Sequence, residues 1–96
     1  MYNLISIYKM KNFRKKPVVI QAMQWDGTEN GAVKIALLDG INSKLDYNKT
    51  EGFCGLYIET LEGTHKVTPR DFVIRGVNGE YYPCKEDIFI KTYEAV

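Results

Sequence analysis

The side chains with most chemistry to offer are a set of rings and cations. Trp25, Tyr57, Tyr81 and Tyr82 sit beside polar residues in β-rich runs, and Arg14, Lys15, Lys16, Arg70, Arg75 and Lys85 supply positive charge. A ring that stacks a base while a cation meets its phosphate makes a non-enzymatic nucleotide pocket. The same residue types anchor protein interfaces. Strand alternation sends one of Tyr81 and Tyr82 outward, and the competing reading puts Trp25 and the other tyrosine in the core. The expected ligand-binding set is Arg14, Lys15, Lys16, Trp25, Arg70, Arg75, Tyr81, Tyr82 and Lys85.

Other chemistries have less to build on. One histidine, His65, and two distant cysteines, Cys54 and Cys84, give no CxxC or HxxxH spacing, so neither a metal nor another cofactor is expected. Cys84 stands between Pro83 and Lys85 ahead of an expected helical turn. A helix start and a neighbouring cation would lower its thiol pKa, and a dyad with His65 would need the two to meet in space. The alternative is a buried, inert cysteine. Glu86-Asp87 and Glu59 with Glu62 are carboxylate pairs that nothing places across a cleft, and helix capping accounts for the first of them. No phosphate-binding loop is present. Asp26 to Gly31 could offer helix-start N–H groups to an anion, but its own acids oppose that.

The elements that would carry these residues are short. Pro17 to Trp25 reads as a strand with apolar residues on both faces, which predicts a central position. Thr28, or Asp26 with Glu29, caps an expected helix over Ala32 to Asp39, with Val33, Ala36 and Leu37 on its buried face and Gly40 at its end. A short strand is expected near Lys44–Tyr47. Cys54–Leu61 alternates, Glu62-Gly63 turns and Thr64–Val67 returns. Phe72–Arg75 and Glu80–Tyr82 pair across Asn78-Gly79, a two-residue return. Phe89 and Tyr93 stand one helical turn apart and predict a docked C-terminal helical turn. The fold class is α+β: a small curved antiparallel sheet, a barrel-like roll, with one internal helix.

Ninety-six residues make one domain, here 13–96, preceded by an extension over 1–12. A chain of this size buries about 65% of the surface that its unfolded form exposes, enough for one small core. Net charge is +1, which argues against a nucleic-acid coat. Lys9, Lys11, Arg14, Lys15 and Lys16 nevertheless cluster, while Glu80, Glu86, Asp87 and Glu94 make the other end acidic. The basic arm is either a solvated face or a binding edge for phosphate or an acidic partner. Free thiols fit a reducing cytoplasm. No apolar run approaches the ~20 residues of a membrane span, and Leu4–Tyr8 is too short and lacks the charged lead of a signal peptide. Met10 could be a second start. Alternatively, Leu4, Ile5, Ile7 and Tyr8 add an edge strand that pairs with another copy into a homo-oligomer.

Arg14-Lys15-Lys16-Pro17-Val18-Val19, Ala22-Met23-Gln24-Trp25, Pro69-Arg70-Asp71-Phe72-Val73-Ile74-Arg75-Gly76 and Gly79-Glu80-Tyr81-Tyr82-Pro83 together resemble a set of small phage and prophage proteins. These carry a Pro-Gly-Asp-Tyr-Gly-like motif ahead of a Gly-Glu-aromatic-Tyr stretch. The resemblance covers Phe13 to Glu94. Arg70 replaces the motif's glycine and Phe72 its tyrosine, so either the turn differs or Arg70 has another task. The resemblance implies a phage-encoded protein of the host cytoplasm. It further implies a non-enzymatic binder that counteracts host antiviral defence, by sequestering a nucleotide second messenger or by occluding a host defence protein. The alternatives are a small nucleotide-acting enzyme built on Cys84, His65 and a carboxylate, and a phage assembly module.

Overall fold

A computed structural model describes residues 10–96. Its elements are β1 (Gln21–Gln24), α1 (Glu29–Ala36), β2 (Ser43–Asn48), β3 (Gly52–Thr60), β4 (Gly63–Val67), β5 (Phe72–Arg75), β6 (Tyr81–Cys84) and α2 (Glu86–Thr92). The class is α+β, as the sequence predicts. The expected single curved sheet resolves into two antiparallel sheets of three strands, ordered β1-β5-β6 and β2-β3-β4, which are not closed on one another. The added edge strand at Leu4–Tyr8 and the role of Lys9 lie outside the described residues.

The first strand is shorter than expected and, among the described residues, sits at an edge of its sheet, not the centre. β5 is only four residues long, so it can pair only Gln21–Gln24 of the longer β-branched run. The ladder adds Trp25, whose N–H donates to the Asp71 carbonyl at 2.9 Å. The central strand of that sheet is β5. Val73 faces the main core, and Phe72, on the opposite face, stacks on Phe89 of α2 with ring centroids 3.8 Å apart. Pro17–Ile20 runs on without a partner strand among the described residues.

The α1 helix begins earlier and buries another stripe than expected. Thr28 is its N-cap and accepts from the Gly31 N–H at 3.0 Å. Asp26 in turn accepts from the Thr28 N–H and hydroxyl. Ala32 and Ile35, three apart, are buried, whereas Val33 and Leu37 are exposed. Apolar residues fall on two faces here, and the face that continues into Leu38 and Ile41 wins because both pack on the core. The chain leaves the helix at Leu37 to seat them.

The core lies between the sheets: Leu56, Ile58 and Val67 from one, Val73 and Tyr81 from the other, closed by Trp25, Ala32 and Ile35. The β3–β4 hairpin follows its expected alternation, with Leu56 and Ile58 inward. The β5–β6 hairpin forms, but its return is longer than two residues. The Gly76 N–H donates to the Glu80 carbonyl at 2.7 Å, and the Gly79 N–H donates back to Gly76 at 3.0 Å. Only Gly79, at φ +82°, takes the left-handed conformation in that return; Asn78 does not. At the C-terminus Phe89 and Tyr93 come together at 5.0 Å, as their spacing predicts.

Candidate functional site

The nine residues expected to bind a ligand are not gathered into one site. Trp25 is 3% exposed and Tyr81 8% exposed, so their ring faces are core surface and not stacking platforms. Each satisfies its polar end internally. The Trp25 indole N–H donates to the Thr28 carbonyl at 2.8 Å, and the Tyr81 hydroxyl donates to the Asp39 carbonyl at 2.7 Å. Amphipathic rings at strand ends look alike in sequence whether they face a core or a ligand. Tyr82 is the outward tyrosine of the pair. Burial, a hydrogen bond with Tyr93 and nearby Glu80 push its phenol up to about 12.

The cations divide into two groups. Arg14, Lys15 and Lys16 lie on the exposed run before β1, where Lys15 reaches the Tyr93 hydroxyl at 3.3 Å and lies 5.0 Å from its ring centre. Arg70, Arg75 and Lys85 lie on the folded body and have internal partners. Arg70 Nε and Nη2 donate to the two Glu86 carboxylate oxygens at 2.9 and 2.7 Å. Lys85 Nζ donates to the Thr68 hydroxyl at 2.7 Å and pairs with Asp71 Oδ1 at 3.4 Å. Arg75 reaches Gln21 Oε1 at 3.5 Å.

The Arg70 turn has the conformation for which a glycine is the usual residue. The Asp71 N–H donates to the Thr68 carbonyl at 3.0 Å, with Pro69 and Arg70 at the two central positions. Arg70 has φ +75°, the only non-glycine residue with positive φ among those described. This is a type II turn, whose third position disfavours a side chain. Several contacts over-determine it. The Arg70 N–H donates to the Trp25 carbonyl at 2.8 Å, and Gln24 Nε2 donates to both the Arg70 carbonyl and Glu86. Asp71, 3% exposed, accepts from the Thr68 N–H at 2.8 Å. Across the turn, Pro69 leans on Gly27, where an added Cβ would lie 3.0 Å from the ring.

Sequence reasoning missed Asp71, Gln24 and Glu86 as members of this cluster. Thr68-x-x-Asp71 has capping-box spacing, a signal that was present. Nothing local announced Gln24 or Glu86, because their meeting depends on α2 docking beside β1.

A cleft of about 670 Å³ opens between the β3–β4 turn and β6. Glu59, Glu62, Glu80, His65 and Tyr82 line it. Its charge is the reverse of what a phosphate requires. Glu59 accepts from the Thr64 hydroxyl, and Glu80 accepts from the Asn78 N–H at 3.0 Å. His65 lines this cleft and Cys84 does not, so the expected dyad is not assembled there. Burial, with Asp71 and Asp87 nearby, pushes the Cys84 thiol up, opposite to the expected activation. Lys85 is the N-cap of α2 without a side-chain cap bond; Glu86 bonds Arg70 instead, and Asp87 accepts from the Ile88 N–H at 2.9 Å. The α1 start is likewise closed to an anion, since Thr28 already takes the Gly31 N–H. No group of three or more His, Cys, Asp or Glu suited to a metal occurs among the described residues, and none of their helices is long and apolar enough to cross a membrane.

No protein-family model, no curated protein and no solved structure matches this chain.

Proposed function

We propose that this chain is a phage-encoded, non-enzymatic binding protein that counteracts host defence by covering a host protein. Of the two modes considered from sequence, the geometry supports occlusion over nucleotide sequestration. The two rings best suited to stacking are in the core, and the cleft beside β6 is acidic. The observation that carries the reading is the run Met10–Val19. All ten positions are exposed and lie outside helices and strands. Met10, Phe13, Val18 and Val19 flank Lys11 and the Arg14-Lys15-Lys16 run there. Apolar anchors flanked by cations suit a protein surface with acidic margins. The phage origin and the defence setting rest on the motif resemblance.

The test has two arms. A thermal-shift panel of cyclic and linear nucleotides should leave the melting temperature unchanged, since a specific ligand would raise it by mass action. Infection of a defence-carrying host should succeed with the intact chain. It should fail when Phe13, Arg14, Lys15 and Lys16 are replaced together by Ser and Glu, with the fold intact by circular dichroism. A saturable shift with the nucleotide recovered whole would establish sequestration instead, and turnover of a nucleotide would establish the enzyme.

A further inference from the structure

We propose that β1 is a self-pairing edge and that two copies of this chain join through it, antiparallel about a two-fold axis at Ala22. This does not rest on the host-protein reading.

Strand β1 pairs with β5 on one side only, and its other side has no strand among the described residues. Gln21 to Gln24 are all exposed. The backbone register tells which groups face outward. Trp25 turns both its N–H and its carbonyl inward, to Asp71 and from Arg70. By strand alternation Met23 and Gln21 also point toward β5, while the N–H and carbonyl groups of Ile20, Ala22 and Gln24 point away from it. Three outward pairs at every second residue are a template for another strand. The strand itself carries neither charge nor proline; Pro17, a residue that discourages added pairing, comes earlier.

Charge selects a second copy as the occupant. With Ala22 opposite its own equivalent, Ile20 faces Gln24 of the second copy. The run preceding β1 then passes the corner where the second copy's chain enters α1. Carried on, that register would bring Lys15 opposite Glu29 and Lys16 opposite Thr28 of the second copy, at a corner that also bears Asp26; both acids are exposed. Within one chain Lys15 reaches the Tyr93 hydroxyl, while Glu29 accepts from the Tyr47 hydroxyl at 2.8 Å. The two-fold axis repeats the match, so one basic run and one acidic corner satisfy each other twice. A parallel pairing would instead set the basic runs side by side. Joined this way, the sheet of β1, β5 and β6 becomes one continuous sheet of both copies.

Sedimentation equilibrium of the full chain at low salt and high micromolar concentration tests this. The expected result is twice the mass of one chain, falling toward one as salt rises. Ala22→Pro removes an outward N–H that β5 does not use, and an extended residue accepts proline's φ. It should give a monomer with an unchanged circular dichroism spectrum. If that variant does not fold, charge reversal decides. Lys15→Glu with Lys16→Glu should lose the dimer, Asp26 being kept because it holds the cap, and adding Glu29→Lys should restore it. A chain monomeric at every concentration overturns the proposal. So does a dimer that survives both a folded Ala22→Pro and the charge reversal.

Discussion

Trp25→Phe separates a core tryptophan from a binding one. The indole stands edge-on to Phe53 at 6.1 Å and donates to the Thr28 carbonyl at 2.8 Å. That carbonyl also accepts from the Ala32 N–H at 3.0 Å, so removing the indole does not orphan it. The loss is then one hydrogen bond, about 1 kcal/mol, and the space left by a smaller ring, again about 1 kcal/mol. Against a total stability on the order of 5–15 kcal/mol for a domain of this size, about 2 kcal/mol is a large share. It should lower the melting temperature by roughly 8–16 °C. Thermal unfolding followed by circular dichroism measures it. As the sole tryptophan, Trp25 also reports on its own surroundings, and its native emission should be blue-shifted and move to the red on unfolding. An unchanged melting temperature, or native emission already typical of water, would refute the placement and restore the ring to the list of ligand-stacking candidates.

Both Arg70→Gly and Arg70→Ala lose the Glu86 bonds, but only glycine relieves the left-handed φ, so Arg70→Gly should melt several degrees above Arg70→Ala; paired melts decide. Arg70, and then Gln24, hold the Glu86 carboxyl below its ordinary value, and Thr28 does the same for Asp26. A depressed carboxylate adds stability that is complete above its unfolded value and lost as the pH falls through its folded value, so Glu86→Gln should flatten part of the acid limb between about pH 5 and pH 2. At neutral pH iodoacetamide should modify exposed Cys54 well before Cys84, whose thiol burial pushes up; peptide mass mapping over time reads the order.

Legibility differed by the range of the interaction that fixes each element. The β3–β4 hairpin was plain because alternation at Leu56 and Ile58 and the turn at Glu62-Gly63 are local. Phe89 with Tyr93 was plain for the same reason. The length of β1 was not, because it is set by β5, far along the chain, which stops at Arg75 and turns at Gly76. The buried face of α1 was a choice between two apolar stripes that only the sheets could make. The cations were visible as residues but not as pairs: Lys85 with Asp71, and Arg70 with Glu86, close over separations that spacing does not encode.

Those pairings change what the motif departure at Arg70 means. A glycine there would satisfy the turn without strain and leave Glu86 and Gln24 to each other. Arginine keeps the same left-handed turn and adds two bonds to the first residue of α2, while Gln24 ties that carboxylate to the turn's own carbonyl. The helix is seven residues long and buries no residue fully, so its own packing holds it weakly. Its attachments to the sheet include the Phe72–Phe89 stack, the Tyr82–Tyr93 hydrogen bond and this clamp. The substitution is therefore accounted for by docking α2 without invoking a ligand. Of the cations expected to meet a ligand, Arg14 and Lys16 are then the ones without a structural task of this kind, and both lie before β1, which is where a partner should be sought.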